Sequence, residues 1–234
     1  ISISIDDIEE AHNKIRKIPG LYKNCIESYN SIKNIKNVVP NIAITVSHDN
    51  YFNIKNHYYN LVNNHHIDSI SANIVRDEGV YKIPQDKKKN ILDSYLWLTD
   101  KFQEDTKNGK LSNYNQKTAQ GRMHFSKDKM TYDYIKKAYM KPFYQSHCPA
   151  GRLFGIIDAK GQVFACEILE KDMVGDLKKE NMDFLKIWNG KKNKELRKFI
   201  TDSKCNCTHE CALSFNFMSN FRYQFKFAKS YLNF

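Results

Sequence analysis

Five of the six cysteines fall between positions 148 and 211, and no other feature constrains this chain as much. Cys148, twelve residues, Gly161, four residues and Cys166 make the first group. Cys205, Cys207 and Cys211 make the second, in the run Cys205-Asn206-Cys207-Thr208-His209-Glu210-Cys211. When the chain folds back between the groups, the thiols can converge on one centre. Four thiolates at one centre hold an iron–sulfur cluster or a zinc ion. His209 and Glu210 are expected to shape the closing loop rather than to ligate.

Six cysteines in 234 residues are too few for a disulfide scaffold, so their clustering points to metal in a reducing compartment, and a cytoplasmic setting is expected. The chain is 41% hydrophobic, enough for a core, and carries a formal net charge of +11. A basic balance can serve a polyanion. Here the lysines are spread out, Lys87-Lys88-Lys89 being the one run of three, so a solvated basic surface is expected and nucleic acid is not. No run of about twenty apolar residues occurs, and no membrane span is expected. Ile1 to Asp6 reads as a strand already under way, with no charged leader, so an N-terminal part is expected to precede it.

Along the chain, apolar alternation predicts strands at 1–6, Asn41–Val46 and Ser69–Val75. A loop holding His12 and Arg16 follows the first. Leu21, Cys25, Tyr29 and Ile32 mark one helical face, with Cys25 as a small core residue, and Ile54, Tyr58, Leu61 and Val62 mark another. Strand, helix, strand, helix, strand implies parallel pairing, with chemistry at the C-terminal strand ends. That edge would present Asp6, Ser47 and Arg76, with Ser4 and Asn73 just inside. His65 and His66 close a helix away from it, so a metal role for them is not favoured. A helix is predicted from Pro84 to about Gln103, then a polar loop or lid over 104–128, then a helix near Tyr132–Tyr139. Arg152–Asp158 and Gln162–Cys166 read as a β-hairpin turning at Gly161, and Gly175-Asp176-Leu177 as a further turn. Two short helices precede Cys205. The last twenty residues interleave cations with Phe215, Phe217, Phe221, Tyr223, Phe225 and Phe227, and are expected to pack on a missing part rather than on single-stranded nucleic acid.

These residues resemble radical S-adenosylmethionine enzymes with a C-terminal SPASM or twitch auxiliary-cluster domain. The likeness rests on Ser2-Ile3-Ser4-Ile5-Asp6 with Arg16-Lys17-Ile18-Pro19-Gly20, on Asn73-Ile74-Val75-Arg76, on the Cys148–Gly161–Cys166 spacing, and on Gly175, Phe184, Ile187-Trp188 and the closing cysteines. It implies an α/β fold: the C-terminal half of a partial (β/α)6 TIM-like barrel, then a small α+β SPASM/twitch domain with a β-hairpin and cysteine cluster. The expected divisions are 1–83 for the barrel part, 84–144 for a helical connection and lid, 145–215 for the cluster domain and 216–234 for the tail. It implies S-adenosyl-L-methionine as cofactor, with Ser4 near its ribose, Arg16 on its carboxylate, and Asp6 and Asn73 at matching strand ends. It implies one auxiliary [4Fe-4S] cluster on Cys148, Cys166 and Cys211, with Cys207 or Cys205 as the fourth ligand. The family's C-x3-C-x2-C loop for a second, catalytic [4Fe-4S] cluster does not occur in this sequence. It is expected in the missing N-terminal half, and the 234 residues alone are expected to be inactive. A peptide or small-molecule substrate and a reductant such as a flavodoxin or ferredoxin are the implied partners. Two other readings stay open: a non-catalytic iron–sulfur relative, and a zinc module with a basic nucleic-acid-binding face.

Overall fold

Residues alternating Ile or Val with smaller polar ones build the first sheet. The computed structural model describes residues 1–76, 83–112, 118–169 and 172–232. In it, β1 (Ser2–Ser4), β2 (Asn41–Val46) and β3 (Ile70–Ile74) pair in parallel in that order. Ile42, Ile44 and Val46 are fully buried on one face, with Ile70, Ala72 and Ile74 beside them. Each such aliphatic side chain contributes about 1.5–3 kcal/mol by leaving water. The opposite face carries small or polar residues: Ser4, Ala43 and Ser71 share one row, and Thr45 and Asn73 the next.

The connections are α1 (Glu9–Arg16), α2 (Leu21–Ile32), α3 (Ile54–Tyr59) with a π-helical continuation over Asn60–Asn64, and α4 (Gln85–Lys107). They bury Tyr29, Tyr58, Leu61, Ile91, Tyr95 and Phe102. Two of these tyrosines keep their hydroxyls satisfied. Tyr29 donates to Asp68 at 2.7 Å and Tyr58 to Asp105 at 2.8 Å.

Two expectations about helices are corrected. The segment holding His12 and Arg16 is helix α1, not loop. Its charges match the helix dipole, with Glu9 and Glu10 in the first turn and Lys14 and Arg16 in the last. It stops at Lys17, which takes the left-handed conformation at φ 57°. The polar segment 104–128 is also largely helical. α4 continues to Lys107 because Phe102, Asp105 and Thr106 are buried, and α5 (Ala119–Ala138) starts well before Tyr132. Residues 108–112 and 118 are irregular; 113–117 lie outside the described residues, as does Asp77 after β3.

His57, on α3, is fully buried, and its Nε2 donates to the Ile5 carbonyl at 3.0 Å. Burial pushes its pKa down from 6.5 to about 4. The Ile5 carbonyl and Asp6 oppose the shift, and His12 and His65 add to it. The unfolded chain therefore takes up a proton that the folded one refuses, and stability is lost as pH falls from 6.5 towards 4. Going from pH 7 to pH 5 should cost about 2 kcal/mol. Urea unfolding of the chain and of His57→Gln at both pH values checks this: the variant should lose that part of the pH dependence.

The chain divides into two compact units, Ile1–Phe125 and Ser126–Phe234. In the second, β4 (Ile156–Ile157), β5 (Gln162–Phe164) and β6 (Met173–Asp176) form an antiparallel sheet in that order. Asp158 turns the chain between β4 and β5. Its Oδ1 accepts from the Lys160 and Gln162 N–H groups at 2.9 and 2.8 Å, and Gly161 supplies φ 87°. Gly175 lies in β6 rather than in a turn. A Cβ there would sit 2.5 Å from Ile187, so glycine lets α6 (Phe184–Trp188) approach the sheet. α7 (Lys191–Asp202) sends the buried Asn193 back to the Gly151 and Trp188 carbonyls, at 3.0 and 2.7 Å. The aromatic tail forms α8 (Glu210–Ser219) and α9 (Phe221–Leu232). Phe217 and Tyr223 are buried, while Phe221 and Phe225 are exposed. No helix among the described residues is long and apolar enough to cross a membrane.

Candidate metal centre

Cys148 precedes a tight turn in which the N–H groups of Arg152 and Leu153 both donate to the Pro149 carbonyl at 2.9 Å. Cys166 follows β5 directly, behind the fully buried Ala165. α7 ends at Asp202, and the Cys205 N–H then returns to the Ile200 carbonyl at 3.1 Å. The sheet turn, the strand end and the helix end thus each deliver a thiol to one place. Cys148, Cys166, Cys205 and Cys207 line a single cavity of about 30 Å³, closed by Ile168, Leu169, Ile200 and Ala212.

Burial in this apolar shell favours the neutral thiol. It pushes Cys148 up to about 11 and Cys207 up to about 12, and it raises Cys205. The neighbouring thiols add to the rise in each case. Backbone N–H groups work against it, that of Ala150 at Cys148 and that of His209 at Cys207. Those two groups would stabilise sulfur carrying negative charge, as in a ligated thiolate. None of the cysteines is in a disulfide among the described residues.

Zinc and a cluster ask for different spacings of the same thiols. One zinc draws four thiolates in at about 2.3 Å each. A cluster gives each thiolate its own iron, which holds them farther apart. Among the described residues no group of three or more His, Cys, Asp or Glu side chains is poised around a single ion.

Cys211 is exposed, in the first turn of α8, and does not line the cavity. His209 sits at the N-terminal end of α8 with Nε2 3.2 Å from Glu167. Cys25 lies on α2, its sulfur 3.9 Å from the Ser4 carbonyl.

The residues read as cofactor contacts lie in the first unit. Asp6 and Arg16 meet each other: the guanidinium Nε and Nη2 donate to Asp6 Oδ2 at 2.7 and 2.6 Å. Asp6 Oδ1 accepts the Thr45 N–H at 3.0 Å, and the Asp6 N–H donates to His12 Nδ1 at 3.1 Å. Asn50 Nδ2 donates to the Asp6 and Thr45 carbonyls at 2.7 and 2.9 Å. Ser4 is exposed on β1, one register row before Asn73, which is half-buried beside Thr45. Sequence reasoning missed His12, Thr45 and Asn50. The signal for Asn50 was there, since Ser47-His48-Asp49-Asn50 follows a strand as a polar turn.

Comparison with known proteins covers both the cysteine segment and the fold. Residues 148–212 match the family described as SPASM, iron–sulfur cluster-binding domain. No curated protein matches the chain. Among solved structures, hexahistidine-tagged anSMEcpe with bound AdoMet is similar with a TM-score of 0.56 at 16% identity, over 100% of this chain and 66% of that one. Native anSMEcpe with bound AdoMet and Cp18Cys peptide is similar with a TM-score of 0.56 at 17% identity, over 99% and 66%. The chain therefore spans just under two thirds of the length of these relatives. Residues 148–212 thus match the iron–sulfur cluster-binding SPASM model, on a chain whose fold is similar to that of anSMEcpe, a radical S-adenosylmethionine enzyme.

Proposed function

We propose that the chain serves a radical S-adenosylmethionine enzyme acting on a peptide or small metabolite, with one auxiliary [4Fe-4S] cluster in its second unit. The observation that carries this reading is the convergence of Cys148, Cys166, Cys205 and Cys207 on one apolar cavity inside the segment that matches an iron–sulfur family. Cys148 and Cys166 would hold the cluster from the sheet side, and Cys205 and Cys207 from the closing loop. The Ala150 and His209 N–H groups would donate to the sulfurs, and Ile168, Leu169 and Ile200 would exclude water. In the first unit, the small polar face of the parallel sheet would be the inner wall of a partial barrel. Ser4 and Asn73 would lie on that wall, with Arg16 held at its rim by Asp6. S-adenosylmethionine, when bound, supplies a radical for hydrogen-atom abstraction. A flavodoxin- or ferredoxin-like reductant in a reducing cytoplasm is the matching electron source.

Anaerobic reconstitution of the 234-residue chain with iron and sulfide tests this. A brown protein with an absorbance shoulder near roughly 400 nm and about four irons per chain is expected. No 5′-deoxyadenosine should form, because no C-x3-C-x2-C occurs among these residues. A colourless protein holding one zinc would reject the reading.

A further inference from the structure

The second unit carries an open strand edge beside an apolar groove and an unbalanced basic basin, and no part of the cluster chemistry uses them. β4 pairs with β5 through Ile156↔Phe164 and Ile157↔Val163. The Asp158 N–H donates to the Gln162 carbonyl at 3.0 Å. Alternation in an antiparallel pair then points the Ile156 and Asp158 backbone groups at β5, and those of Ile157 outward. β4 is the outer strand of its sheet, and no further strand covers it among the described residues.

A groove of about 300 Å³ runs along this edge, lined by Leu153, Ile156, Ile157, Phe184 and Trp188. That volume is at the lower end of ligand-binding cavities. Its aromatic wall is fixed. Phe184 and Trp188 stack at 5.2 Å, and Trp188 lies where a Cβ on Gly155 would be, 2.6 Å away. Leu153 and Ile157 are both more than half exposed, so the edge is apolar as well as open. The edge is short, Ile156–Ile157, so it offers one outward-facing residue, and the groove beside it must supply most of the contact.

Arg152 belongs both to this groove and to a second cavity of about 350 Å³ formed with Lys194, Arg197, Lys198 and Asp202. α7 carries five cations and two carboxylates, and Lys194, Arg197, Lys198 and Asp202 of these line the cavity. Both carboxylates are already engaged, Glu195 with Lys191 at 3.7 Å and Asp202 with Lys198. Arg152, Lys194 and Arg197 have no carboxylate partner among the described residues. Arg197 instead donates to the Gly151 and Trp188 carbonyls and lies over the Trp188 ring. Two arginines held side by side without counter-charge ask for an anion.

We infer that β4 docks an extended peptide segment whose apolar residues enter the groove and whose acidic residues, at one end, enter the Arg152–Lys194–Arg197 basin. Adding a strand uses the outward Ile157 N–H and C=O, and alternate side chains of the added strand reach the groove. The basin sets direction, because only one end of the peptide can meet it. The inference stands on the surface of this unit alone and does not depend on the radical chemistry.

The test is fluorescence anisotropy on the full chain. The probe is a fluorescein-labelled decapeptide with two glutamates leading an alternating valine–threonine tract. Saturable binding at about 10–100 µM is expected. Ile157→Pro removes the outward N–H while sparing the bonds to β5, and should weaken binding about tenfold. Arg152→Glu with Lys194→Glu should also weaken it about tenfold, and raised salt should mimic that loss. Should Ile157→Pro fail to fold, Leu153→Glu, at an exposed position, should produce the same loss by charging the groove. Circular dichroism and cluster absorbance report folding and loading separately, so a failure of the cluster assignment would leave this test intact. No saturable binding, or binding indifferent to both edge variants, would overturn the inference. So would a single-stranded oligonucleotide of equal length that binds more tightly and displaces the peptide.

Discussion

Cys207→Ser should leave the reconstituted chain with less than one iron and without its shoulder near roughly 400 nm. Burial pushes the Cys207 thiol up to about 12, and Cys148, Cys166 and Cys205 lie close enough for all three to add to the rise. It is also the thiol aimed at by the His209 N–H. A serine in its place offers a harder, more basic ligand at one corner and leaves that N–H poorly matched. Cys148→Ser, Cys166→Ser and Cys205→Ser should give the same loss, because each removes one of four walls of the same cavity. Cys211→Ser should keep its iron, since Cys211 is exposed outside that cavity. A cluster bound only by the folded unit also stabilises it by mass action, so the deficient variants should melt at lower temperature than the loaded chain. Iron and acid-labile sulfide per chain, absorbance and thermal melts measure all of this. Full iron content in Cys207→Ser would reject the assignment. A loss in Cys211→Ser matched by tolerance of Cys205→Ser would mean that Cys211, not Cys205, completes the ligand set.

How much of this could be read from the sequence depended on how local its physics was. β2 spans Asn41–Val46 as the alternation implied, because burial of one face forces a period of two. The turn at Gly161 was readable because a positive φ needs glycine there. α1 was not, since it has few apolar positions and only its end charges announce it. α5 was misplaced because its first turns are polar. The meeting of Asp6 with Arg16 spans ten residues and depends on α1 turning the guanidinium back over the sheet edge. The different surroundings of Cys207 and Cys211 rest on where α8 begins. With Glu210 as its first residue, Cys207 stays in the closing loop and Cys211 rides on the helix. No spacing rule distinguishes those cases.

Asp6→Ala should destabilise the first unit by about 2–3 kcal/mol. The carboxylate is almost fully buried, yet one Oδ2 takes two guanidinium donors and Oδ1 takes the Thr45 N–H. Removing it strands a backbone donor at the C-terminal end of β2 and leaves Arg16 without its anchor. A fully buried pair would cost more, but Arg16 is more than a third exposed, so water recovers part of its charge. Asp6→Asn should cost less, about 1 kcal/mol, because the amide oxygen can still accept from Thr45. Arg16→Ala should cost less than Asp6→Ala, because it leaves the Thr45 bond in place. The double variant should fall short of the sum, since both remove one interaction. Urea unfolding followed by circular dichroism at pH 7 reads the whole set. If Asp6→Ala stays within about 0.5 kcal/mol of the parent, the pair does not hold the sheet edge. Arg16 would then be available for the S-adenosylmethionine carboxylate instead. If the loss appears as expected, Asp6 holds Nε and Nη2 of Arg16 and, through Thr45, the end of β2.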